Sequence, residues 1–188
     1  MVAIITLSAS LMACGAQQEQ SGQAHTRTPR RSHDTRPPAA LNGRISPLLS
    51  ANFALLRTPP DGVPFAVRQA LGSVPGVSGD LARRIPVSLP SKYWLVPGVA
   101  NICVVARTPR SPSVGTVCAN VSQALHHGIA NTSLDLVSGR RVIVGVVPTG
   151  THTVLVRSGA TTSSVRALHG RFVLRDSVAA PPDEFMLR

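Results

Sequence analysis

The sequence predicts a mainly β domain of the α+β class: a small antiparallel β meander with two or three short helices, preceded by a disordered linker. Three observations carry this expectation. Short β-prone runs bounded by Pro or Gly recur between residues 93 and 175. Turn signals separate the later ones, at Pro148-Thr149-Gly150, Ser158-Gly159 and His169-Gly170. Apolar residues make up 43% of the 188 residues, enough for one packed core with little left for a second. No apolar run reaches the roughly 18–20 residues of a spanning helix, which argues against a polytopic membrane protein. With 14% charged and 3% aromatic residues, a long coiled coil and a stacking-based nucleic-acid binder are also disfavoured.

Residues 1–14 read as a targeting segment. Val2 to Ala13 is apolar apart from Thr6, Ser8 and Ser10, and fits the apolar core of a secretory signal. It ends in Leu11-Met12-Ala13-Cys14-Gly15, and the chain turns polar at Gln17-Gln18-Glu19-Gln20. This block resembles the lipobox of bacterial lipoproteins, with Leu11 at the apolar position and Ala13 at the small one. The resemblance implies that Cys14 is lipidated and becomes the mature N-terminus. Two departures stand against the pattern: Met12 is a less typical middle residue, and no Lys or Arg precedes the apolar core. The other reading of this stretch is an N-terminal apolar strand or helix with a buried thiol, and the polar tract after Cys14 counts against it.

Residues 15–47, rich in Gln, Ser, Thr, Arg and Pro with almost nothing large and apolar before Leu41, are expected to be a disordered tether. A single β-rich globular domain is expected over 48–178, and a C-terminal tail over 179–188. Within the domain, Ser50–Arg57 reads as a short helix stopped by Thr58-Pro59-Pro60-Asp61-Gly62. Pro64–Leu71 reads as a second, with Pro early in the helix and Gly72 just past its end. Residues 72–80 form a loop, and Asp80–Arg84 one helical turn before Pro86. Strands follow at Tyr93–Val96, Ile102–Ala106 and Thr116–Ala119. A short helix spans Asn120–His127, capped by Asn120 and closed by Gly128. The remaining strands are Arg141–Val147, Thr153–Arg157, Thr161–Arg166 and Arg171–Arg175, the last placing Phe172 and Leu174 on one face and both arginines on the other.

The block Val144-Gly145-Val146-Val147-Pro148-Thr149-Gly150 with Val154-Leu155-Val156, together with Trp94-Leu95-Val96-Pro97-Gly98 and Ile102-Cys103-Val104, resembles a pattern in uncharacterised exported proteins of high-GC Gram-positive bacteria. The resemblance covers about residues 50–178. It implies an exported, β-rich domain and carries no activity with it.

Once Cys14 is set aside for the lipid, Cys103 and Cys118 remain, fifteen apart on two candidate neighbouring strands. In an exported chain they read as one disulfide with Cα atoms roughly 4.4–6.8 Å apart. Free buried thiols are the alternative; a metal site is the weakest reading, because no C-x-x-C pair is present. The six histidines are His25, His33, His126, His127, His152 and His169. His126 and His127 sit on the last turn of a helix, where imidazolium suits the helix dipole. Adjacent helical residues point about 100° apart, so the two do not chelate one ion. Gly76-Val77-Ser78-Gly79 misses the G-x-S-x-G elbow by one residue. Asn120-Val121-Ser122 and Asn131-Thr132-Ser133 match the glycosylation sequon, a short signature of little weight here. No phosphate or dinucleotide glycine fingerprint follows a strand, so no cofactor is expected.

The basic residues number 19, of which 18 are Arg and only Lys92 is Lys, against 8 acids, a formal net charge of +11. Residues 1–50 carry five Arg and two acids, leaving fourteen basic and six acidic residues, a net of +8, for 51–188. The Arg excess reads either as the imprint of a GC-rich genome or as attraction to anionic envelope surfaces. The favoured function is an exported, lipid-anchored, non-enzymatic binding or structural module whose partner is the membrane through its anchor. The alternative is an envelope hydrolase using His126, His127, His152 or His169 with a serine and Asp135 or Asp176. Nucleic-acid binding is not expected.

Overall fold

Two strands, Lys92–Pro97 and Asn101–Arg107, are apolar almost throughout because both of their faces are buried. The computed structural model describes residues 45–109, 113–135, 139–176 and 184–188. Among these, ten strands form three antiparallel sheets, as the sequence leads one to expect for the class. The first sheet is a true meander in chain order: β1 (Arg83–Ile85), β2 (Lys92–Pro97), β3 (Asn101–Arg107) and β4 (Val114–Asn120). The second runs β5-β6-β9, from Ile129–Leu134, Arg141–Val146 and Arg171–Asp176. The third runs β10-β7-β8, from Glu184–Leu187, Thr153–Ser158 and Thr161–Arg166.

Alternation along β2, β3 and β6 sorts the core into layers. Tyr93, Leu95, Ile102, Val104 and Ala106 face Val142, Val144 and Val146 of β6 across the largest cluster. On the opposite face of the first sheet, Trp94, Val96, Cys103 and Val105 are covered by Val67 and Leu71 of α2 (Phe65–Leu71). On the far side of β6, Ile143 meets Val154 and Val156 of β7 and Phe172 of β9. The β5-β6-β9 sheet is therefore the middle layer between the other two.

Local chemistry accounts for most element ends. α3 (Val121–His127) begins where the Asn120 carboxamide oxygen accepts from the Gln123 amide at 2.8 Å, and closes at Gly128. Gly128 has φ of 70°, and a Cβ there would sit 2.9 Å from the Val146 carbonyl oxygen, so the turn into β5 requires glycine. α2 starts after Pro64 and ends at Gly72, as expected.

Several boundaries differ from the sequence-based expectation. The helix expected over Ser50–Arg57 is α1, Pro47–Asn52, followed by a 3-10 turn over Ala54–Arg57. Phe53 breaks it in an extended conformation, because its side chain turns fully into the core. Ile45, within the stretch assigned to the tether, packs on that core. Asp80–Arg84 is not one helical turn: a 3-10 turn covers Gly79–Leu81, and Arg83–Ile85 pairs with β2. The tail expected over 179–188 ends in β10, which pairs with β7 and packs Phe185 and Leu187 on the third cluster. β5 had no counterpart in the sequence reading. The targeting segment, the tether up to residue 44 and residues 179–183 lie outside the described residues.

Candidate functional site

The cysteines expected to pair do so. β3 and β4 run antiparallel in a register that sets Cys103 directly opposite Cys118, and the two form a disulfide with Cα atoms 4.1 Å apart. That separation falls slightly below the expected range, in keeping with a pair placed straight across adjacent strands. Cys103 is fully buried under α2, whereas Cys118 lies exposed on the edge strand. The bond ties the edge of the first sheet to its interior. Of the intervening loop, Pro109 and Ser113 are exposed, and residues 110–112 lie outside the described residues.

The residues proposed for hydrolysis are dispersed. His126 and His127 stand exposed at the end of α3 with ring centroids 6.4 Å apart. His152 is exposed ahead of β7, and His169 is exposed in the tight turn before β9 with φ of 52°. Asp135 closes the turn after β5, accepting the Gly139 amide through its carbonyl oxygen at 2.8 Å. Asp176 ends β9 opposite Arg141. Among the described residues no group of three His, Cys, Asp or Glu is placed to hold a metal. Cys14, His25 and His33 lie outside the described residues.

Two polar residues to which the sequence reading gave no structural role organise the fold. Asn131, 2% exposed, donates from its carboxamide nitrogen to the carbonyls of Val104 and Gly115, each at 3.1 Å. It thereby pins β5 to β3 and β4, which removes it as a glycan acceptor in the folded domain. Beside it Tyr93 Oη and Ser133 Oγ share a 2.5 Å hydrogen bond. Thr108, Ser113, Asn131, Thr132 and Ser133 line a hollow of about 250 Å³ at the end of the β3–β4 hairpin. Among the described residues its lining offers hydroxyl and amide groups and no titratable side chain, an arrangement suited to hydrogen bonding.

The second such residue is Arg83. Its guanidinium is buried beneath the turn at 58–61, with Nε donating to the Thr58 carbonyl and Nη1 to the Leu81 carbonyl at 2.6 Å. Burial pushes Arg83 down from the usual guanidinium range, and nearby Asp61 offsets part of that shift. Asp61 is in turn fixed to β1: its Oδ2 accepts the Arg84 amide at 2.7 Å, and its own amide donates to the Ala82 carbonyl at 3.0 Å. A groove of about 550 Å³ opens here, lined by Thr58, Asp61, Arg84, Pro86 and Ser88. A neighbouring one of about 480 Å³ shares Ser88 and adds Leu89, Val173 and Arg175, whose Nη2 donates to the Ser88 carbonyl at 3.3 Å. Among the described residues no histidine or cysteine lines these three concavities. The Asp61 carboxylate holds backbone, so the hydroxyls of Thr58 and Ser88 have no activating base at hydrogen-bond reach in the bonds the structure makes. The arrangement presents cations and hydroxyls for binding. No protein-family model matches the chain, and it matches no curated protein and no solved structure.

Proposed function

We propose that this chain is an exported cell-envelope protein, lipid-anchored through Cys14, whose β-rich domain acts as a non-enzymatic binding or structural module. The Cys103–Cys118 disulfide is the observation that carries the reading. Such bonds form and persist in oxidising compartments and are rare where thiols are kept reduced, so the bond is compatible with an extracytoplasmic location. The lipobox-like block ending at Cys14 supplies the anchor. The scattered, exposed histidines favour binding over the hydrolase alternative. Mass spectrometry of the protein from native membranes tests the processing, the lipid and the disulfide together. The reading expects a chain beginning at a lipid-modified Cys14 with Cys103 and Cys118 joined, and release of the Cys14→Ser variant, but not of the parent, from the membrane fraction by high salt. An unprocessed Met1 in the cytosolic fraction with two titratable thiols would overturn it.

A further inference from the structure

Strand register gathers three cations that are far apart in the sequence. Arg84 of β1 lies opposite Trp94 of β2, and Lys92 of β2 lies opposite Arg107 of β3. Opposed residues, and residues two apart on one strand, project from the same face. Arg84, Lys92 and Arg107 therefore share the face that carries Trp94 and Val105, at the end of the sheet where β1 stops and β2 starts. All three are exposed. Opposed Cβ atoms stand about 5 Å apart and diagonal ones about 7–8 Å, so this is a row of like charges across three adjacent strands. Like charges placed directly opposite weaken a sheet. Two arginines elsewhere meet carboxylates, Arg68 with Asp80 at 3.0 Å and Arg157 with Glu184 at 3.2 Å. None of the three makes an ion pair among the described residues, and Asp61 is tied to the Arg84 backbone and not to its guanidinium. The helix seated on this same face, α2, carries Phe65, 80% exposed.

We propose that this face is a docking surface for an anionic phospholipid membrane, with Arg84, Lys92 and Arg107 meeting head-group phosphates and Phe65 providing the apolar contact. The cations are laid out side by side across the sheet. Arg84 lines the groove beside Asp61 while Lys92 and Arg107 do not, so the three do not converge as donors gripping one phosphate would. A two-dimensional array of phosphates matches that layout, and an exposed aromatic on the helix seated over the same face suits the boundary between head groups and acyl chains. The net +8 over residues 51–188 adds a long-range attraction to the same partner. The inference rests on the envelope reading only for where the chain meets the lipid.

The test is co-sedimentation of the full chain carrying Cys14→Ser, so that no anchor contributes, with vesicles of phosphatidylcholine alone or mixed with phosphatidylglycerol. Binding is expected only with phosphatidylglycerol and should fall as salt rises. Each of Arg84→Gln, Lys92→Gln and Arg107→Gln should weaken it about fivefold, and the triple variant roughly a hundredfold. The triple variant should unfold at or above the parent temperature, since like-charge repulsion is relieved. Phe65→Ser should weaken binding without altering its salt dependence. Arg166→Gln, which removes the same charge on β8, should leave binding unchanged. An equal loss from Arg166→Gln, or undiminished binding by the triple variant, overturns the surface. Tight binding to soluble polyphosphate with no preference for vesicles overturns the lipid as partner. The assay uses unlipidated protein, so an unmodified Cys14 in the native chain would sink the anchor and leave this result standing.

Discussion

Gly145 provides the sharpest test of how the middle sheet packs. It lies opposite Phe172 in the β6–β9 register, and the ring covers it so closely that an added Cβ would fall on the Cε1 and Cζ atoms. The same Cβ would sit 3.1 Å from that of Ala130. Phe172 is 3% exposed and backs onto Phe185 with centroids 6.2 Å apart, so the ring has nowhere to swing without leaving its cluster. Overpacking of this kind costs about 1–3 kcal/mol. Glycine in a strand is itself unfavourable by about 0.5–1 kcal/mol relative to alanine, so Gly145→Ala should destabilise by a net of about 1–2 kcal/mol, a fall of roughly 2–8 °C in Tm. Urea denaturation followed by Trp94 fluorescence measures it, because Trp94 is buried in a different cluster and reports global unfolding. The sign should reverse in a Phe172→Leu background: with the ring gone, alanine at 145 should be neutral or stabilising by up to about 1 kcal/mol. The same cost in both backgrounds would refute the reasoning.

Two further perturbations probe the elements that hold the first sheet. Cys118→Ser breaks the disulfide while placing its hydroxyl on the exposed edge strand, and the chain-entropy model for a closed loop of fifteen residues puts the loss at about 3 kcal/mol at most. Equilibrium unfolding should show it, and an unchanged midpoint would mean that the edge strand needs no staple. Asn131→Leu removes the donor shared by the Val104 and Gly115 carbonyls and should cost about 1–3 kcal/mol. Asn131→Asp should be worse at neutral pH, because a carboxylate would face those two carbonyl oxygens; equal stability of the two variants in thermal melts would count against the pin.

The disulfide, α2, α3 and its cap, and strands β2, β3, β4, β6, β7, β8 and β9 were legible because each announces itself within a few residues, through Pro, Gly and Asn at the ends and β-branched runs between them. β5 was not, since its sequence Ile-Ala-Asn-Thr-Ser-Leu is polar on the face it buries. Asn131 and Ser133 are satisfied by carbonyls and a tyrosine hydroxyl contributed by strands some 16–40 residues away, and no local pattern encodes that. Arg83 was invisible for the same reason: a buried guanidinium held in part by the Thr58 carbonyl, 25 residues earlier, looks in sequence like any surface arginine. The short β10 read as a tail because four residues gain a partner only once β7 is in place.

Composition, the block around Cys14 and the local punctuation of the chain were enough to set the class, the expected compartment and the position of most elements, because backbone conformation follows from neighbours a few residues apart. Which strands lie side by side is another matter. The meander expected throughout holds for β1 to β4, but β9 returns to β6 and β10 to β7, because each buries its apolar face there. The row of Arg84, Lys92 and Arg107 exists only through that pairing, since charges 8 to 23 residues apart share a face when, and only when, the register of three strands is fixed.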